Sequence, residues 1–396
     1  MKKYIFFVVG VMCTLLSHTA YAIDLNKSDA NIIGHVLEKK TGEHLPYMTV
    51  ALKGTTIGTM TDGTGHYFLK NLPEGEFILS VSAVGYKPQE RKVTLKRGKT
   101  LEENFELEED MVALDGVVVT ANRNETARRL APTLVKVVTP KLFDMTNSHT
   151  LSQGLVFQPG VRVENDCQNC GYSQVRINGM DGKYTQILID SRPIFSALAG
   201  VYGLEQIPAN MIERVEVVRG GGSALFGSSA IAGTVNIITK EPLRNSGSFA
   251  HSISNFDGSG SFDNNTTLNL SLVSSDNKMG AYIYGQNRHR SAWDSNGDGF
   301  SELPKLKNQT VGVNAYYRLS PYSKLNLEYH HMEEFRRGGN RFDLPPHIAE
   351  DANLNGSGEP GLVEQIEHSI NTGGLKFSAF SKDQKHAFNA YASAQH

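Results

Sequence analysis

Four stretches of this chain carry side chains whose type and spacing could do chemistry. The segment Asp294-Ser295-Asn296-Gly297-Asp298-Gly299-Phe300-Ser301-Glu302 sets oxygen side chains at Asp294, Asn296, Asp298 and Glu302, with Gly299 where a calcium loop turns sharply. Hard cations such as Ca2+ take oxygens at this spacing, and a full loop closes with a bidentate Glu. Lys305 stands at that closing place, so two readings remain: a weak calcium loop matched to external calcium, and a polar surface loop. Cys167-Gln168-Asn169-Cys170 is the second stretch. It does not open a helix after a strand, as a thioredoxin-type site would. Gly171 follows where haem attachment needs His, and zinc would need two more ligands nearby. A local disulfide stapling this loop is the preferred reading, and a thiolate pair touching metal or substrate is the alternative. Third, Phe335-Arg336-Arg337-Gly338-Gly339-Asn340-Arg341 is a basic loop suited to an anionic ligand or lipid phosphates, or simply to solvent. Fourth are the histidines. His35, His44 and His66 are not at metal-ligand spacing and read as surface or turn residues, and no spacing supports His330, His331, His347 and His368 as haem or metal contacts. No nucleophile, base and acid form a set, so the chain does not read as an enzyme.

The elements that must position these residues are strands. Lys2 and Lys3, the apolar run from Tyr4 to Leu16 and the small-x-small site Ala20-Tyr21-Ala22 read as a secretion signal cleaved after Ala22. Export leaves Cys167 and Cys170 in an oxidising compartment. The 39 basic and 41 acidic side chains nearly cancel, which argues against a nucleic-acid partner. No later stretch is long and apolar enough for a membrane helix. That leaves a β-barrel open, because barrel strands alternate and signal only weakly.

From Asn31 to about Leu107, short alternating runs are divided by glycines, with Asp62-Gly63 as a turn signal, and predict a small β-sandwich. The acidic stretch that follows ends it. Leu134 to Val138, Val161 to Val163, Gln174 to Gly179 and Gln186 to Asp190 read as strands, and Leu151 to Val156 as a short helix closed by Pro159-Gly160. Pro208 to Ile212 reads as a helical turn. Glu213 to Arg219 alternates as a strand, Gly220, Gly221 and Gly222 permit a turn with positive φ, and Thr234 to Thr239 is a second β-branched strand. After Pro242 the runs lengthen to Phe249–Phe256, Thr266–Ser274, Gly280–Asn287, Thr310–Leu319, Lys324–His331, Gly374–Phe380 and Ala387 onward. Connectors alternate short (Asp276 to Lys278, Ser320 to Tyr322) and long (Arg290 to Lys307, Glu333 to Gln365), which is the habit of a membrane barrel.

The run Ile212-Glu213-Arg214-Val215-Glu216-Val217-Val218-Arg219-Gly220, then Ser223-Ala224-Leu225-Phe226-Gly227, then Ala230-Ile231-Ala232-Gly233-Thr234-Val235-Asn236-Ile237-Ile238-Thr239-Lys240, resembles the end of the plug of TonB-dependent outer-membrane receptors. Val175 to Met180 and Ile187 to Ile194 match the same plug. Gly54-Thr55-Thr56, Gly58 to Asp62, Gly65 to Leu69 and Val84-Gly85-Tyr86 resemble the carboxypeptidase-regulatory-like domain that precedes the plug in receptors of the Bacteroidetes type. Despite that name, no peptidase is implied.

The resemblance implies a mainly β chain: an N-terminal β-sandwich (23–110), an α/β plug domain (125–242), then an incomplete antiparallel transmembrane β-barrel (243–396), after a signal peptide (1–22). About seven strands cannot close a barrel, so the chain is expected to be the N-terminal part of a longer one. The linker 111–124 would hold the TonB box at Asp115, Val117, Val118, Val119 and Thr120, an extended segment able to add to a partner's sheet, though one more strand of the neighbouring domain is the plainer reading. The implied partners are TonB with its energising complex, outer-membrane lipid, and an iron chelate, haem or corrinoid ligand; no cofactor is required, and calcium remains the open alternative given above. In the family the Cys167–Cys170 loop tends to face the ligand. Arg219-Gly220 and Ala230 to Gly233 look like the siderophore, haem and cobalamin group, and the alternative is glycan import of the starch-utilisation type. The location is the Gram-negative outer membrane, with the N-terminal domains in the periplasm.

Overall fold

The computed structural model describes residues 30–83, 85–109, 118–119, 126–127, 135–167, 171–193, 207–222, 226–342, 344–382 and 386–396. The signal segment, Asp115, Val117, Thr120 and Cys170 lie outside them, as does the side chain of Cys167.

Strands β1 (Ala30–Glu38), β2 (Thr49–Leu52), β3 (Gly58–Met60), β4 (His66–Leu72), β5 (Gly75–Ser82), β6 (Gln89–Leu95), β7 (Thr100–Glu102) and β8 (Phe105–Leu107) form the N-terminal unit. One sheet runs β4-β1-β7, with β8 also on β1, and the other runs β3-β2-β5-β6. Alternation puts Ile32, Val36, Val50, Leu79, Val81 and Phe105 into an apolar core between the two sheets. The pair β9 (Val118–Val119) and β10 (Thr126–Ala127) follows as a two-stranded antiparallel ladder.

The second unit is built on a five-stranded sheet ordered β11-β16-β17-β14-β15, with β11 at Val135–Val138, β14 at Thr185–Ile189, β15 at Arg192–Pro193, β16 at Ile212–Arg219 and β17 at Gly233–Thr239. A hairpin of β12 (Val161–Cys167) and β13 (Tyr172–Ile177) stands beside it. Glu213 to Arg219, whose charged and apolar residues alternate, lie in β16. There Val215, Glu216, Val217 and Val218 are all buried, because β16 lies between β11 and β17 and both sheet faces are covered. Of the three glycines that follow, only Gly220 takes a positive φ (103°). The turn ahead of β16 is 3-10, over Ala209–Met211.

The third unit is a seven-stranded antiparallel meander: β18 (Ser246–Asn255), β19 (Phe262–Val273), β20 (Met279–Arg290), β21 (Lys305–Ser320), β22 (Ser323–Gly339), β23 (Val363–Phe380) and β24 (Ala387–Gln395). These strands run longer than their apolar cores, since ladder bonding continues through polar residues such as Asn308 and Glu334. Register lines the wall in rows. Leu272, Ala281, Ala315, Leu327, Leu375 and Ala392 stand side by side, and the three leucines are exposed. One residue along, Ser271, Tyr282, Asn314, Glu328, Gly374 and Ser393 form the next row, whose Ser271 and Tyr282 are buried on the concave side. A surface that is apolar outside and polar inside suits a strand wall in lipid.

The sandwich docks on the short-turn end of this wall. The backbone N–H of Thr56 donates to Pro321 O (2.8 Å). Arg244 lies 4.4 Å over the Tyr47 ring, and Tyr322 packs against the sandwich core.

Candidate functional site

The functional geometry lies where the second unit fills the concave face of the wall. Its apolar core, from Val138 through Ile237, takes in Tyr282 and Tyr284 of β20. Around that contact the joining bonds are polar. Tyr282 donates to Asn210 O (2.9 Å), and the Asn210 amide donates to Asn269 Oδ1 (2.9 Å) and Gly285 O (3.2 Å). Asn314 Nδ2 donates to Thr239 Oγ1 (3.0 Å) and Lys240 O (3.3 Å). His149 meets Ser252 Oγ at 3.1 Å and accepts from Gln286 at its carbonyl (3.3 Å). Such bonds exchange with water at small net cost, unlike buried apolar area.

Charged contacts join the second unit to the wall too: Lys324 of the wall pairs with Glu241 (3.1 Å), and Arg192 with Glu328 through two guanidinium nitrogens. The place of Arg192 is set by the two-residue turn Asp190-Ser191, whose φ angles are 47° and 67°. Non-glycine residues take that region at a cost, and local bonding must hold them there. Buried Asn236 does so: its Oδ1 accepts from Ser191 N–H (2.9 Å), and its amide donates to Ser191 Oγ (3.2 Å). Thr239 donates to Asp190 through its N–H (3.1 Å) and hydroxyl (2.8 Å). Burial still pushes the Asp190 carboxyl up from its ordinary range. Gly374 leaves room for the pair, since a Cβ there would sit 2.7 Å from Arg192 Nη1. Nothing in the sequence joins Arg192 to Glu328, because the contact depends on how β15 meets β22.

At the long-loop end, a polar cavity of about 330 Å³ opens between the hairpin β12–β13 and the wall, lined by Val163, Gly171, Ser173, Asp263, Arg288 and Glu302 among others. Arg288 grips Asp263 with Nε (3.0 Å) and Nη2 (2.6 Å). Phe256 stacks on Trp293 at 5.6 Å between ring centres. A second cavity, about 210 Å³, lies lower between the units, beside Arg192, Tyr284, Glu328 and His330.

The basic segment from Phe335 is neither a solvated loop nor open to lipid phosphates. Phe335 to Gly339 belong to β22, and Arg336 and Arg337 are only 2% and 5% exposed. Arg336 donates to Gly171 O and pairs with Glu334 (3.2 Å), tying the hairpin tip to the wall. Arg337 donates to Leu344 O (2.6 Å) and Arg341 O (2.8 Å), holding the loop above it. Desolvated guanidinium groups need this many acceptors, which the local sequence does not reveal.

The loop after β20 brings oxygen atoms of Asp294, Asp298 and Glu302 within 4.8 Å of one another. Gly297 N–H and Gly299 N–H donate to Asp294, both at 2.7 Å, and Asn296 Oδ1 accepts from Asp298 N–H (2.9 Å). Asn296 also braces the turn, its amide donating to Asp298 Oδ2 (3.0 Å). His330 accepts or donates through Nδ1 with Tyr284 (2.9 Å), and His331 through Nδ1 with Asn371 (2.9 Å). Among the described residues, no metal-sized set includes these two, His347 or His368. His35, His44 and His66, which sequence spacing kept apart, stand together, with ring centres 4.9 to 5.7 Å apart.

Residues 32–119 match the CarboxypepD_reg-like domain, and residues 127–234 match the TonB-dependent Receptor Plug Domain. The vitamin B12 transporter BtuB of Vibrio vulnificus strain YJ016 is 35% identical over 229 residues, covering 50% of this chain and 37% of that protein. The vitamin B12 transporter BtuB of Photobacterium profundum is 37% identical over 128 residues, covering 32% of this chain and 20% of that protein. Among solved structures, the siderophore receptor PirA of Acinetobacter baumannii aligns with a TM-score of 0.55 at 22% identity, over 67% of this chain and 40% of that one. A ferric enterobactin receptor (PfeA) mutant of Pseudomonas aeruginosa aligns with a TM-score of 0.51 at 20% identity, over 70% of this chain and 42% of that one. The chain thus spans less than half the length of each of these relatives.

Proposed function

We propose that this chain, which carries the plug domain of TonB-dependent receptors, is part of an outer-membrane receptor that takes up a scarce chelate such as cobalamin, a ferric siderophore or haem, driven by TonB. The observation that carries this reading is the polar joint between plug and wall. A plug bonded by Asn210, Asn314 and His149, with water-replaceable partners, can shift within the wall at modest cost. The relatives named as vitamin B12 transporters favour a compact chelate over a glycan. The polar cavity under the long loops is the capture side, and the opposite end, where the sandwich docks, faces the periplasm.

TonB engages the segment Asp115 to Thr120. Val118 and Val119 pair on one side with Thr126 and Ala127 in a two-stranded ladder, so among the described residues the other edge is open to a third strand. Val118→Pro removes a main-chain donor from this two-residue strand. In a strain deleted for the gene and complemented with the full-length form, Val118→Pro should abolish growth on the limiting chelate while leaving binding to whole cells intact. Unchanged growth on cobalamin, ferric siderophore and haem alike would sink the uptake reading.

The loop of Asp294, Asp298 and Glu302 binds calcium in this reading, and its oxygens close over the capture cavity through Glu302. Calcium titration of the whole receptor should release heat that Asp298→Asn removes. Equal heats in both proteins would reject the site.

A further inference from the structure

The sandwich carries a cluster that belongs to neither the plug nor the wall. His35 on β1, His44 in the turn after it and His66 at the start of β4 form a triangle, with ring centres 5.3, 5.7 and 4.9 Å apart. His35 and His66 face each other across the ladder, and the bridge between Leu37 and His44 folds the third ring onto them. Gly65 makes that approach fit, since a Cβ there would lie 2.8 Å from His44 Cβ, and its φ is +77°. The geometry points to a site for one late first-row divalent ion, of the zinc, copper or nickel class, held by His35, His44 and His66.

Three imidazoles around a tetrahedral ion have ring centres roughly 5 Å apart, given metal–nitrogen distances of about 2.0–2.1 Å. The observed triangle has that size. No set of nitrogens, one from each ring, yet lies within 4.8 Å of one another, so capture requires the rings to turn about Cβ–Cγ. Such a turn exchanges carbon for nitrogen without moving the ring centre far. His44 is exposed and has room for it.

The surroundings already fix one ligand. Thr64 Oγ1 donates its only proton to Asp62 Oδ1 (2.6 Å) and lies 3.1 Å from His66 Nδ1. Toward His66 it can therefore only accept, which puts the proton on Nδ1 and leaves the Nε2 lone pair free. Metal-ligating histidines are oriented by an acceptor on the far ring nitrogen, the part Thr64 Oγ1 takes toward His66. Imidazole favours copper, nickel and zinc over calcium or magnesium, so this set and the oxygen loop would take different ions.

The test is zinc titration of the purified whole receptor in excess calcium, which occupies oxygen sites. One equivalent should bind, with affinity falling at least about tenfold in His44→Ala and in His66→Ala, and about tenfold in Thr64→Val. Copper bound in its place should show nitrogen hyperfine splitting that His44→Ala reduces. All these side chains except His35 are exposed, and circular dichroism of each variant checks that the sandwich is folded. Binding of several weak ions, or binding unchanged in His44→Ala, His66→Ala and Thr64→Val, would overturn the proposal.

Discussion

The core of the sandwich and the joint between plug and wall are both buried, yet they are made of different material. The sandwich interior is mainly aliphatic and aromatic, from Ile32 to Leu107, with buried Thr61 bonded to Leu45 O (2.8 Å). The joint mixes two tyrosines with amides, hydroxyls and the Arg192–Glu328 pair. Apolar burial is non-directional and strong per area, and it has nothing to exchange with water. A polar joint holds position through direction and releases with little penalty once water can replace each partner. The first arrangement makes a permanent body. The second makes a seat that can be left.

The difference can be broken at four points, here ordered by expected effect. Phe105→Ala empties the centre of the sandwich and should destabilise that unit by about 3–5 kcal/mol. Thermal unfolding should lose the sandwich transition while the wall transition stays, and a matching fall in the wall would mean the two units are one. Arg192→Ala, Glu328→Ala and the double variant should give a coupling energy of about 1–3 kcal/mol, read from hydrogen exchange of β14 and β15. Strict additivity would make the pair ornamental. Asn314→Ala removes two neutral bonds to Thr239 and Lys240 and should cost about 0.5–1.5 kcal/mol in the same readout. The smallest effect is on acid stability. Glu108 is held at about 2, first by the hydrogen bond from Lys39 and then by that from Lys87. A carboxylate held below its ordinary value stabilises the fold above about 4.5, and that contribution fades as pH falls toward 2. Glu108→Gln should therefore lower sandwich stability slightly at neutral pH, flatten the acid limb in that window and leave stability near pH 2 nearly unchanged.

Period and punctuation made much of this architecture readable in the chain. The seven alternating runs after Pro242 are the seven strands of the wall, and the short and long connectors fall at opposite ends. Thr234 to Thr239 is a strand because its β-branched run is bounded by turn residues. Side-chain partnership across units was not readable. Arg192 and Glu328 meet only through the Asp190-Ser191 turn, and Asn236 pins that turn from another strand. The basic run at Arg336 and Arg337 looked like a wet loop, because local charge does not say that a hairpin tip and a carboxylate will cover it. The three sandwich histidines failed a spacing rule made for helices and ribbons. Antiparallel pairing sets residue 35 against residue 66, and no linear motif records that register.

The docking of the sandwich on the turn at Pro321 has a mechanical consequence. The stretch from 110 to 134 runs between two bodies that are each fastened to the same wall, one through Thr56 and Tyr322, the other through Asn210 and Arg192. Tension applied midway along it divides between those two moorings. The weaker one yields first, so the strength of the Thr56–Pro321 grip sets how much of any pull reaches the plug.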